Sequence, residues 1–220
     1  MRAVGGYTHL IWDFNGTILD DVRLGMDSVN RMLARRGLPV LPDRDAYRKV
    51  FGFPIEDYYR RLGFDFEKED YHTVLAPEWV KLYLEGEGDC RLHEGVIEAL
   101  AATRQRGMGQ VLLSASNLDL LERQIAHLGL SDAFEEILGL DNIHAHSKTG
   151  LAIEWKRRHP TAVPLFVGDT EHDADVADAI GADCVLFSGG HQSRERLSGR
   201  GVAVISNISE LIRILDECKE

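Results

Sequence analysis

Leu10-Ile11-Trp12-Asp13-Phe14-Asn15-Gly16-Thr17 is the stretch that decides the fold of this chain. The apolar run from Leu10 to Trp12 has the composition of a buried parallel strand. It stops at a carboxylate, followed closely by a glycine and a hydroxyl. In open α/β sheets, ligands bind in the crevice beyond the carboxyl ends of the strands, so Asp13 is expected to stand in that crevice. A bend at Gly16 would bring backbone close to a bound group. A plainer reading of the same residues is a strand that ends in a turn, with Asp13 as its cap and Asn15-Gly16 making the reversal.

Working outward, the same pattern recurs. Gln110-Val111-Leu112-Leu113 is apolar and stops at Ser114, and Val163-Pro164-Leu165-Phe166-Val167 leads through Gly168 to Asp169. Further strands are expected over 134–140, 184–187 and 202–205. Helical spacing predicts helices over 96–105, 118–128, 151–158, 173–180 and 208–215, with a short one near Arg194. Alternating strands and helices imply an α/β fold: a doubly wound, Rossmann-like parallel sheet with helices on both faces. Between the first and second core strands, residues 20–88 read only as helices and turns. Helices are expected over 22–33, 46–51, 55–62 and 67–84, with Asp20-Asp21 as a cap for the first. Pro77 either kinks the last of these or begins a new helix after Ala76. The block is far longer than a simple crossover needs. It is read as a small all-helical cap, leaving 1–19 and 89–220 as the core.

The chain has 220 residues, 44% of them hydrophobic and 28% charged, with a net charge of −11 from 25 basic and 36 acidic residues. That balance argues against nucleic acid or an anionic membrane surface as the main partner. An acidic protein that binds an anion needs a local cation, which points to a metal ion held by carboxylates. Cys90, Cys184 and Cys218 are widely spaced with no CxxC, as expected for reduced thiols in a cytoplasmic protein. Met1-Arg2-Ala3-Val4-Gly5-Gly6 lacks the apolar core of a signal peptide, and no apolar run approaches the ~18 residues of a membrane span.

Three strand ends (Asp13, Ser114 and Asp169) and a lysine, Lys148, before a helix form a set suited to phosphate chemistry. In order and spacing this set resembles the haloacid dehalogenase superfamily. The matching residues are Asp-x-x-Gly-Thr at Asp13 to Thr17, Ser114, Lys148, and Gly-Asp-x-x-x-Asp at Gly168 to Asp173. The phosphoglycolate-phosphatase-like branch, with a helical cap after the first motif, is the nearest in plan. The resemblance implies a hydrolase that moves a phosphoryl group from a small phosphorylated metabolite onto Asp13, as a monomer or homodimer. It implies Mg²⁺ held by Asp13, Asp169, Asp173 and the backbone carbonyl of Asn15. It also implies phosphate binding by Gly16, Thr17, Ser114, the Ala115 amide and Lys148. Physical chemistry agrees, because a carboxylate can attack a phosphate only where cations neutralise both partners. Taken singly, each residue has a duller reading: Ser114 as a helix cap, Lys148 as a solvated surface residue, Asp173 as a first-turn helix acid.

The chain departs from the family pattern at Asn15. Phosphatases of the family usually place there an aspartate that protonates the leaving oxygen and then activates water. An amide cannot exchange that proton, and losing such help typically costs ~10²–10⁴-fold. The expectation is therefore slow turnover of alkyl esters and faster turnover of aryl or acyl phosphates. Three alternatives compete: a dehalogenase, which has no need of Asp169 and Asp173; a phosphonate hydrolase using Lys49 as a Schiff base; and a catalytically weak binding or regulatory protein. Arg48, Lys49, Arg60 and Arg61 are candidates to meet a second anionic group, with solvation the plainer account. His144-Ala145-His146 is too short for a metal site by itself, and His172 is expected to face solvent.

Overall fold

The computed structural model of the protein describes residues 6–140 and 147–217. The Met1-to-Gly5 stretch, the His144-Ala145-His146 run and Cys218 lie outside the described residues. Six parallel strands form one sheet in the order β5-β4-β1-β6-β7-β8. They are β1 (His9–Trp12), β4 (Gly109–Asn117), β5 (Glu136–Leu140), β6 (Pro164–Gly168), β7 (Asp183–Phe187) and β8 (Ala203–Ile205). The apolar runs become strands because each is covered on both faces. Leu10 and Trp12 pack with Leu112, Leu165 and Val185 on one side, and Ile11 packs with Val111, Phe166 and Leu186 on the other. Helices α5 (Val96–Gln105), α6 (Leu118–His127), α7 (Lys148–Arg158), α8 (Glu171–Ala179), α9 (Arg194–Ser198) and α10 (Glu210–Glu217) alternate with them.

The order of the sheet places the crevice. From β1 the chain goes to β4 on one side, then β5, then returns to β6 on the other side of β1. Strand order therefore reverses at β1, and the carboxyl ends there form the open switch point of a doubly wound sheet. Trp12 pairs with both Leu112 and Val167. Asp13 thus leaves the sheet level with Leu113 and Gly168, and Ser114 and Asp169 follow one residue farther out.

Residues between β1 and β4 depart from the expectation in two places. Leu19–Asp20 (β2) and Arg91–Leu92 (β3) pair as a small antiparallel ladder at the two ends of the helical block, and neither was among the expected strands. Two residues are too short to leave a period in the sequence. Within the block lie α1 (Val22–Arg35), α2 (Arg44–Val50), α3 (Ile55–Arg61) and α4 (Ala76–Leu84). The single helix expected over 67–84 is divided. Asp70 caps a π-turn at Tyr71–Leu75, and α4 then begins with Pro77 in its first turn, where the missing N–H leaves no hydrogen bond unmade. The block has an apolar cluster of its own, including Val29, Met32, Leu33, Tyr58, Tyr59 and Leu82. Cys90 and Cys184 are buried free thiols. No helix among the described residues is long and apolar enough to cross a membrane.

Candidate active site

The three strand ends and two helix starts deliver their side chains to one point. Lys148 is the first residue of α7, behind a Ser147 cap that accepts from the Gly150 amide. Its side chain is 4% exposed, and the ammonium hydrogen-bonds the Asp13 carboxylate and donates to Asp173 Oδ1 at 2.5 Å. The solvated-surface reading of Lys148 is thereby excluded. Asp173 faces the centre from the first turn of α8, where its Oδ2 accepts the amides of Asp169 (3.1 Å) and Thr170 (2.9 Å) and the Thr170 hydroxyl (2.7 Å). It acts as a helix-start acid and a site residue at once. Ser114 is no helix cap, since β4 continues to Asn117, whose side chain caps α6. Ser114 Oγ accepts the Ser116 amide at 3.1 Å and lines the cavity above Asp13 together with Ala115. A hydroxyl that accepts on one side keeps its hydrogen to donate on the other.

Two expected phosphate-binding residues take other places. Thr17 is fully buried, and its hydroxyl lies 3.2 Å from Asp13 Oδ2 and 3.3 Å from Asp169 Oδ1. It faces carboxylates, not the cavity. The Gly16 amide donates to Leu19 O and to Asp21 Oδ1 at 2.9 and 2.8 Å. What Gly16 contributes is close approach: at φ +77° it sits where a Cβ would fall 2.4 Å from Asp169 Oδ2.

A second layer went unforeseen. Asp21 was expected to cap α1, yet it makes no cap hydrogen bond. Its buried carboxylate instead collects the Gly16 amide, the Asn15 amide (3.0 Å), the Tyr83 hydroxyl (2.8 Å) and His191 Nε2 (3.1 Å). A carboxylate so far from water needs that many donors to stay charged. Asn15 itself is fully engaged, giving Nδ2 hydrogens to Asp21 and to Tyr83 at 2.9 Å and accepting Ser116 Oγ at 2.9 Å. His191 follows β7 with its amide on Asp169 Oδ2 at 2.6 Å and its Nδ1 on the Tyr47 hydroxyl at 2.8 Å. The one available signal for it was the glycine pair before it: a Cβ on Gly190 would lie 2.2 Å from Asp169 Oδ2. Asp21 carried no signal that distinguished it from Asp20.

His172, expected to face solvent, is half-buried and lines the cavity, its ring 4.7 Å from that of Phe53. Lys49 is exposed on α2 and is not among the cavity's lining residues, which leaves the Schiff-base alternative without its lysine. Arg48 donates to the carbonyls of Gly190 and Gly189, Arg61 to that of Val50, and Arg60 to Asp57. None of these arginines is among the cavity's lining residues.

The electrostatics of the cluster ask for a cation. Burial pushes the Asp13 carboxyl up to about 6 despite Lys148 beside it. Burial likewise holds Asp169 well above the ordinary carboxylate range, with Asp13 and Asp173 adding repulsion. Against a burial cost, Lys148 keeps Asp173 below that range, and His191 does the same for Asp21. Burial alone would depress His191, but Asp21 overrides it and raises the imidazole to about 9. Asp13, Asp169 and Asp173 thus crowd buried carboxyl oxygens around one ammonium, and a further cation would relieve their mutual repulsion. Oxygens of Asp13, Asp169 and Asp173 lie within 4.8 Å of one another. All-oxygen donors of this kind suit a hard cation such as Mg²⁺, so the residues present fit the metal that the family implies.

Comparison with known proteins agrees. The sequence profile of haloacid dehalogenase-like hydrolases matches residues 10–187. A phosphoglycolate phosphatase of Rhodobacter capsulatus is 28% identical over 190 residues, covering 83% of this chain and 85% of that protein. The tyrosine-protein kinase PtkA of Mycobacterium tuberculosis is 25% identical over 214 residues, covering 96% and 71%. A haloacid dehalogenase-like hydrolase from Streptococcus pneumoniae superposes with a TM-score of 0.79 at 16% identity, over 94% of this chain and 98% of that one. The chain belongs to the haloacid dehalogenase-like hydrolase family, in its phosphoglycolate-phosphatase-like branch.

Proposed function

We propose that the protein is a Mg²⁺-dependent phosphatase of small phosphorylated metabolites, acting in the cytoplasm, with Asp13 as the nucleophile. The observation that carries this reading is the position of the Lys148 ammonium, bonded to both Asp13 and Asp173 at the floor of the cavity. An ammonium there steadies the attacking carboxylate and the incoming phosphoryl oxygens together. Asp13 and Asp169, with the Asn15 carbonyl, would hold the metal, and Asp173 would bind it directly or through water. Bound there, Mg²⁺ would neutralise phosphoryl charge. The Ser114 hydroxyl and the Ala115 amide would orient the phosphoryl group. An Asp13 oxygen forms a bond to phosphorus while the ester P–O bond breaks, and the electron pair leaves with the departing oxygen. Water then hydrolyses the aspartyl-phosphate.

Residues 20–88 are read as a lid over this cavity, which would exclude water and limit substrate size. The name phosphoglycolate phosphatase among the relatives supports the reaction type. Turnover of p-nitrophenyl phosphate and of an alkyl phosphate, each with and without Mg²⁺, tests the reading. Metal-dependent hydrolysis that is lost in Asp13→Ala is the expected result. Metal-independent activity that survives Asp13→Ala would end it.

The commitment of Asn15 to Asp21, Tyr83 and Ser116 favours one second reading, a catalytically weak protein that binds phosphate ligands. It predicts Mg²⁺ and phosphate binding by calorimetry without release of phosphate from any ester.

A further inference from the structure

We propose that the cavity above Asp13 is built for the phosphate monoester of a phenolic hydroxyl, with the ring of the substrate held by aromatic side chains of the helical block. This rests on the phosphatase reading and names its substrate class. Two independent features lead to it: what the leaving oxygen receives, and what lines the space where the leaving group must sit.

The leaving oxygen receives no proton from the usual position. Asn15 has none to give, and its amide hydrogens are fixed on Asp21 and Tyr83. Of the cavity's histidines, His191 is bonded at both ring nitrogens, His172 lies tilted against the Phe53 ring at 4.7 Å, and His72 sits edge-on to Tyr71 at 5.0 Å. Without a proton from position 15, the P–O bond breaks with the electron pair left on oxygen as an anion, which takes its proton from water afterwards. A phenolate, whose acid has a pKa of about 10, departs this way far more readily than an alkoxide, whose acid lies near that of water at about 15.7.

The space above the nucleophile, about 650 Å³, has ample room for a leaving group that carries an aromatic ring. Its helical-block side is lined by Phe51, Phe53, Ile55, Tyr71 and Trp79, and Phe53 is 40% exposed. Phe51 and Phe53 meet edge to face at 5.9 Å, and with Tyr71 and Trp79 they give this side of the cavity an aromatic lining for a ring to pack against. Among the described lining residues there is no arginine, and Lys148 is the one lysine, already bonded to Asp13 and Asp173. Arg48, on the Gly189 and Gly190 carbonyls, and Arg196, on Glu171 and the Phe51 carbonyl, are not among the cavity's lining residues. Among the described lining residues a second anion, such as a carboxylate, would meet no uncommitted lysine or arginine, and an unpaired buried charge is costly. A neutral ring finds stacking surface.

The experiment compares phenyl phosphate, benzyl phosphate, acetyl phosphate and 2-phosphoglycolate with the 220-residue protein in Mg²⁺. Phenyl and benzyl esters share the ring and differ in leaving oxygen, and kcat for phenyl phosphate is expected to exceed that for benzyl phosphate by about 10²-fold. Acetyl phosphate has a good leaving group without a ring, and its KM and that of phosphoglycolate are expected to be at least about tenfold higher than that of phenyl phosphate. Phe53→Ala is expected to raise the phenyl phosphate KM about three- to tenfold, with Phe53→Trp restoring it. Equal kcat for the phenyl and benzyl esters, or a phosphoglycolate KM at or below that of phenyl phosphate, overturns the assignment while leaving the phosphatase reading intact. Hydrolysis of none of the four overturns both. If Phe53→Ala does not fold, the wild-type comparisons decide. Free phosphotyrosine against a phosphotyrosyl peptide identifies the source: the faster of the two shows whether the phenol is free or protein-borne, and either result supports the class.

Discussion

Asn15 donates its side-chain amide to the buried carboxylate of Asp21 at 3.0 Å, and both residues share the hydroxyl of Tyr83. The residue that departs from the family pattern is thus the centre of a hydrogen-bonded joint. It links the end of β1 to the start of α1, to α4 through Tyr83 and to β4 through Ser116. An aspartate in its place would bring a second carboxylate against Asp21.

Asn15→Asp is therefore expected to act in two directions. Like charges this close force one carboxyl to keep its proton at neutral pH, the state in which a general acid is useful. Turnover of alkyl phosphates is expected to rise by at least about tenfold. Stability is expected to fall by about 1–3 kcal/mol as the amide's hydrogen bonds are lost. Steady-state kinetics and urea unfolding on the same preparation check both, and unchanged turnover would show that Asn15 is not the limiting feature.

Lys148→Met should remove the cation that Asp13 and Asp173 share. Deleting one partner of a buried ion pair typically costs ~3–5 kcal/mol, and losing a transition-state donor ~10²–10³-fold in turnover. Mg²⁺ is expected to recover part of the stability, but not the rate. Thermal unfolding with and without the ion separates the two effects.

For Asp169 the sign is opposite. Its carboxyl lies well above the ordinary range, so the charged form weakens the metal-free fold as pH rises. Asp169→Asn keeps an oxygen for the His191 amide while removing that charge. The variant is expected to be at least as stable as the wild type in EDTA, and Mg²⁺ should no longer raise its melting temperature.

His191 provides a pH window. Its folded value is raised to about 9 from an ordinary 6.5, so its contribution is complete below about 6.5 and is lost as pH climbs through 9. On the order of 3 kcal/mol is at stake. Urea midpoints in EDTA between pH 6.5 and 9.5 should fall for the wild type and change less for His191→Gln. Parallel curves for the two proteins would show that His191 is not charged by Asp21.

Much of the site was legible in the sequence because its parts are local. Apolar runs that stop at Asp13, Ser114 and Asp169 announce strand ends, and Asp173 stands one helical turn beyond Asp169. Lys148 was legible by its order relative to those strands, although taken singly it read as a surface residue. Asp21, Tyr83 and His191 were not legible. They come from three segments and meet through hydrogen bonds spanning up to 170 positions, and such contacts leave no period or spacing behind. His172 was misplaced for a related reason: its burial depends on Phe53 arriving from the helical block.

Consecutive residues by themselves determined the parallel sheet and the order of its strand ends, because burial on both faces imposes a continuous apolar run that any one segment displays. Lys148 and Asp173 joined the set through the family resemblance in order and spacing. Only the tertiary structure decided which partners hold Asn15, which arginines are already occupied, and that aromatic side chains lie across from the nucleophile. Those outcomes depend on how separate segments pack, and a side chain far from water is charged, neutral or engaged according to neighbours that the chain brings from elsewhere.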